Sequence, residues 1–109
     1  MVIVKATHRF EDELQDIIES PYCPQYLKKS VKSTLSQIST FPESFPVRNF
    51  DRPKLREWRV CVIKKYVVLY FIQNGVAYVD HIYHGMQSFD KLLESQRIRR
   101  KFVVYAHSI

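Results

Sequence analysis

Glycine is nearly missing from this chain: two occur in 109 residues. A phosphate-cradling loop needs several, because its backbone must approach the phosphate closely and adopt φ > 0, so neither a P-loop nor a dinucleotide-binding turn is present. Cysteine is equally scarce. Cys23 and Cys61 lie far apart, with no C-x-x-C and no histidine at ligand spacing, so no metal and no other cofactor is expected. Two reduced thiols in a cytoplasmic protein is the expectation that this usage supports. No apolar run approaches 18 residues, and "MVIVKATHRFEDEL" has no apolar h-region, so neither a membrane span nor a secretory signal is expected. Repeats and low-complexity tracts are absent as well.

What remains is a chain built to fold. Hydrophobic residues make up 46% and aromatics 14%, which argues against disorder. The length suits one domain over residues 1–109, which buries roughly 65% of its unfolded surface without metal or disulfide help. Seventeen Lys+Arg against eleven Asp+Glu give a formal charge of +6, which favours an acidic partner such as nucleic acid, the ribosome or an acidic protein.

The β-branched run "MVIVKA" predicts a first strand. A helix follows, beginning near Thr7 or His8, with Phe10, Leu14, Ile17 and Ile18 on one face. Glu11, Asp12 and Glu13 lie near its start, where the macrodipole favours carboxylates, and Ser20-Pro21 ends it. Pro24 can open a second helix near its first position, with Leu27, Val31, Leu35 and Ile38 as its apolar stripe and Lys28, Lys29 and Lys32 mostly off it. Three prolines between Pro42 and Pro53 predict a loop. From Leu55 the period becomes two: "REWRVCVI" and "YVVLYFI" flank a tight Lys64-Lys65 connection. Asn74-Gly75 then signals a type I′ hairpin turn into "VAYVDHIY". Ser88 can cap a last short helix, "FDKLLESQ", followed by a basic extension over 95–109 that contains "RIRRK" and "FVVYA". The expected fold is α+β: an N-terminal strand, an αα-hairpin, a three-to-four-stranded antiparallel sheet and a short C-terminal helix.

A two-residue turn at Asn74-Gly75 pairs Gln73 with Val76, Phe71 with Tyr78, Leu69 with Asp80 and Val67 with Ile82, and His84 continues that face. The other face then carries Ile72, Tyr70, Val68 and Tyr66 with Ala77, Val79, His81 and Tyr83. Both faces are largely apolar. One can take the helical hairpin; the second needs the C-terminal segment or a partner chain. A bulge would exchange the faces beyond it. His84 then has two readings, a strand-end residue with local hydrogen bonds or a general acid/base. Trp58 and the tyrosines read as core, and "RIRRK" reads as a solvated helix end or a contact for an anionic partner.

The layout and the string "LREW…YVVLYFIQNGVAYVDHIYHG" resemble the RelE/ParE superfamily of toxins from bacterial type II toxin–antitoxin systems. Leu55-Arg56, Tyr66, Tyr70, Asn74-Gly75 and His84-Gly85 match the family pattern, and the helical hairpin and Pro42 fit upstream, so the resemblance covers roughly residues 1–94. It implies a small toxin of the plasmid-stabilisation kind, held inactive by a cognate antitoxin. The target expected from it is mRNA on the ribosome, cut by an endoribonuclease, with DNA gyrase, blocked without catalysis, as the alternative. For metal-independent cleavage the resemblance points to His84 and Arg56 as catalytic residues. Lys64, Lys65, Tyr83, Arg97, Arg99 and Arg100 would then be substrate contacts. Two positions depart from the pattern: Val67 and Met86 stand where the family often has arginine, and neither can stabilise a phosphate charge. A toxin that has lost activity is the third expectation.

Overall fold

The computed structural model of the protein describes residues 1–48 and 57–85. Its elements run β1 (Ile3–Ala6), α1 (His8–Glu19), α2 (Leu27–Thr40), β2 (Val47–Arg48), β3 (Trp58–Ile63), β4 (Tyr66–Gln73) and β5 (Val76–His84). The strands form one five-stranded sheet in the order β1-β5-β4-β3-β2. β1 lies parallel to β5, and every other pairing is antiparallel. The fold is α+β, as expected, but the sheet is mixed and has one strand more than the sequence pattern suggested. The predicted C-terminal helix at Ser88 and the "FVVYA" segment lie outside the described residues.

Thr7 joins the first strand to the first helix. Its extended backbone (φ −80°, ψ 163°) lets its hydroxyl accept from the Phe10 amide, while its own amide donates to the Val79 carbonyl at 3.0 Å. At the other end Ser20 is extended because Pro21 follows, and it stops α1 with its amide on the Ile17 carbonyl. α2 begins three residues later than the Pro24 signal suggested. Pro24 sits instead in a turn whose carbonyl accepts from Leu27. Paired bonds between Val2 and Ser39 fasten the end of α2 to the start of the chain.

The segment after Pro42 was expected to be loop, yet it contains β2. Val47 and Arg48 pair with Arg59 and Trp58, and the Arg59 guanidinium donates to the Glu43 and Phe45 carbonyls at 3.0 and 2.8 Å. The Tyr70 hydroxyl donates to the Pro42 carbonyl. A long cation and a buried phenol from the sheet therefore satisfy the carbonyls of a proline-rich segment that has few amides to offer.

The β4–β5 hairpin turns at Asn74 (φ 52°) and Gly75 (φ 74°), as the Asn-Gly pair predicts. Its register holds from Gln73↔Val76 to Tyr70↔Val79 and then shifts, so that Leu69 pairs with His81. Asp80 is the extra residue of a bulge. Beyond it Val68 pairs with Ile82, Val67 with Tyr83 and Tyr66 with His84. The pairing expected for Leu69 with Asp80 and for Val67 with Ile82 is corrected, and the faces of His81 and His84 are exchanged.

Two apolar layers result. On one face Val68, Tyr70, Ala77, Val79 and Ile82 pack with Phe10 of α1 and with Leu27, Val31 and Ile38 of α2. On the other, Trp58, Val60, Val67, Leu69, Phe71 and Tyr83 form a separate buried cluster, with Tyr78 packed against it. Both described helices lie on the first face.

Candidate functional site

His84 ends β5 on the helix-bearing face, opposite Tyr66, whose ring meets the imidazole edge-on at 5.4 Å. It is half-buried and lines an open cleft of about 360 Å³ with Tyr66, the end of α1 (Asp16, Ile17, Ser20) and Tyr22. Burial, then the neighbouring Tyr26 and Cys23, push the Tyr66 phenol above its ordinary pKa, so it stays a protonated donor at neutral pH. The cleft thus joins an imidazole, a carboxylate and a neutral phenol. It does not join them to Val67 or Tyr83, which share the opposite face.

Tyr83 is buried and pairs with Val67. Desolvation raises its pKa most, while the Arg48 charge lowers it and the Glu13 charge raises it. Its surroundings are aromatic. Trp58 meets Phe71 edge-on at 5.5 Å, and Phe71 stacks on Tyr78 at 5.2 Å.

Lys64 and Lys65 form the exposed β3–β4 turn. Lys64 takes a left-handed backbone (φ 53°), and its ammonium lies 4.3 Å from the Tyr26 ring centroid. The Lys65 carbonyl accepts from the Gly85 amide at 2.7 Å, which holds the turn beside the end of β5. Arg56, Arg97, Arg99 and Arg100 lie outside the described residues. The structure therefore brings His84 and the Lys64-Lys65 turn to one end of the sheet and places Tyr83 on the other face.

Sequence reasoning missed a buried ionic network. Asp80, at the bulge, accepts from the Thr7 hydroxyl at 2.7 Å and from the Arg9 guanidinium at 3.0 and 3.1 Å. Arg9 and Asp80 are 7% and 1% exposed, so this is a desolvated pair. Beside it Glu13 accepts from the Ile82 amide at 3.0 Å and approaches His81 Nδ1 at 3.3 Å. β1 pairs with β5 only as far as Val79, so the Glu13 carboxylate satisfies an amide on the edge that β1 leaves open. His81 is fully buried, with Trp58 5.5 Å away. One signal was available: an aspartate inside an otherwise apolar strand must find a cation or donors. Among the described residues no group of three or more His, Cys, Asp or Glu is arranged to hold a metal ion. Nor is any described helix long and apolar enough to cross a membrane.

The crystal structure of the isolated E. coli RelE toxin is similar to this chain at 13% identity and a TM-score of 0.54, covering 90% of this chain and 99% of that one. That likeness is one of fold. No curated protein matches the chain. The family described as the ParE toxin of the type II toxin–antitoxin system parDE matches residues 4–89, which take in every described helix and strand except the first residue of β1. The chain therefore belongs to the ParE toxin family, and as a type II toxin its family implies an antitoxin protein as its partner.

Proposed function

We propose that the chain arrests growth by binding DNA gyrase, without cutting RNA. The observation that carries this reading is the composition of the sheet face around Val67. RNA cleavage through the 2′-hydroxyl builds negative charge on the phosphate, and cations placed at that charge are the main source of rate. Here Val67 is flanked by Leu69 and by Tyr83, a phenol that burial keeps neutral, within a layer continued by Trp58, Val60 and Phe71. His84, the imidazole that could move a proton, points to the helix-bearing side. A buried, neutral layer of apolar and aromatic side chains offers no cation to a phosphoryl transition state, which supports inhibition by binding over cleavage.

The test uses the purified toxin with gyrase, relaxed plasmid and ATP, and in parallel with translating ribosomes. Supercoiling is expected to stop while ribosome-bound mRNA stays intact. Undisturbed supercoiling together with mRNA cleavage overturns the reading.

A second reading, the metal-independent endoribonuclease, draws on the His84 cleft. There His84, Tyr66 and Asp16 adjoin the Lys64-Lys65 turn. In that case His84 acts as general acid or base and its loss costs roughly 100- to 10,000-fold in rate. Cleavage that survives a soluble His84→Ala variant excludes this assignment.

A further inference from the structure

We infer that the exposed face of α2 and the Lys64-Lys65 turn form one basic ridge that binds the phosphate backbone of duplex DNA. The inference rests on the gyrase reading, since DNA is gyrase's substrate and a toxin on gyrase works beside it.

Charge is segregated between the two helices. α1 carries Glu11, Asp12, Glu13, Asp16 and Glu19, whereas α2 carries Lys28, Lys29 and Lys32 and no carboxylate. All three lysines are exposed, as are Lys64 and Lys65. The turn belongs to the same end of the molecule as the start of α2. Lys64 lies on the ring of Tyr26, and Tyr26 is the residue just before α2. Among the described residues none of these five ammonium groups has a carboxylate partner.

Folding does not favour this arrangement. Lys28 and Lys29 occupy the first turn of a helix, where the macrodipole is positive and carboxylates are stabilising. No side chain caps that end. Lys64 holds a left-handed backbone that glycine or asparagine would adopt at lower cost. Two local rules are broken in favour of the same charge at the same place, which is the pattern of a binding surface.

Lysines act as point charges, and phosphate contacts position a protein on a duplex without reading its bases. Lys28 and Lys32 stand about 6 Å apart along the helix axis, one turn, so both address the same stretch of backbone. The ridge therefore fits DNA of any sequence.

The test measures binding of the full-length chain to a 20-base-pair duplex as salt is varied. Lys28→Gln/Lys29→Gln/Lys32→Gln is expected to weaken binding at least about tenfold near 100 mM salt and to reduce the log–log salt slope by about 2.7. Adding Lys64→Gln/Lys65→Gln should remove about 1.8 more. Thermal melting should shift by no more than a few degrees, because relief at the positive end of α2 offsets the lost Lys64–Tyr26 ring contact. An unaltered slope in the five-site variant overturns the ridge. So does tighter binding to an RNA hairpin, or displacement of DNA by polyglutamate at equal charge. Gyrase inhibition is scored separately. DNA binding through the ridge without inhibition defeats the gyrase reading alone, and inhibition without ridge-dependent DNA binding defeats the ridge alone.

Discussion

Asp80 shows how one residue sets both the energetics and the register of this sheet. Its carboxylate takes the hydroxyl of Thr7 and two hydrogen bonds from Arg9, all in a site nearly closed to water. Removing one partner leaves the other charge buried and uncompensated, which costs about 3–5 kcal/mol. Asp80→Ala is thus expected to destabilise the protein by that amount in urea denaturation. Arg9→Met/Asp80→Leu should recover part of the loss, since neither charge then remains. The two histidines should separate just as clearly. His81→Ala removes a fully buried ring that touches Trp58 and Glu13, so stability should fall by a few kcal/mol, within the range of about 2–5 seen for large-to-small core changes. His84→Ala trims a half-buried ring at the rim of an open cleft and should cost less than 1 kcal/mol, on the order of a surface substitution. A reversed order in matched denaturation curves would contradict the register with its bulge. The sequence already separates the pair, His81 as a packed polar residue and His84 as a strand-end one, but the bulge puts each on the face opposite to the one expected.

At the scale of elements, what was legible is what obeys local rules. The α1 face, its Thr7 cap and its stop at Ser20-Pro21 all follow from spacing and capping chemistry, and the Asn74-Gly75 turn from the need for φ > 0 at both central residues. What was not legible depends on partners remote in sequence. β1 could be read as a strand, but its parallel place beside β5 is settled by Thr7 meeting Val79 and Asp80, seventy-odd residues later. β2 is strand only because β3 lies alongside it. The bulge was the decisive omission: period-two reasoning carries parity through a strand, and one unpaired residue reverses every side chain beyond it. Candidate site residues inherit that error: unbroken parity puts His84 on the face of Val67, whereas Tyr83 stands there and His84 lies on the other. The turn allows a direct check. Gly75 has open space where a Cβ would go, so Gly75→Ala meets no clash and loses only backbone freedom at φ 74°. About 1–2 kcal/mol of destabilisation is expected, with the fold retained by circular dichroism.

At the scale of the whole molecule, the buried Cys61 thiol and the Tyr70 and Tyr83 phenols are held protonated and neutral. Burial pushes the Cys61 thiol up to about 12, and it raises the Tyr70 phenol as well, with Cys61 adding to the rise and Arg59 opposing it. Tyr83 shifts the same way for the same first reason. The sign of the consequence follows from proton counting. Below about pH 7.5 these groups carry their protons in both folded and unfolded chains, so they add no pH dependence. Above it the unfolded chain releases protons that the folded core retains, the folded state binds more, and stability falls as pH rises. The expected outcome is an alkaline decline beginning near pH 8 and continuing to about pH 12, measured as urea-unfolding free energy at one-unit intervals. Cys61→Ala should flatten the early part of that decline, because it removes the thiol and leaves the phenols, even though the small cavity it leaves lowers stability at every pH. In the same fold, alkylation at pH 8 should modify Cys23, which is half-exposed, and leave Cys61 untouched until the protein unfolds. A Cys61 that reacts as fast as Cys23 in the native protein would mean that the layer between the helices and the sheet opens far more readily than its packing implies.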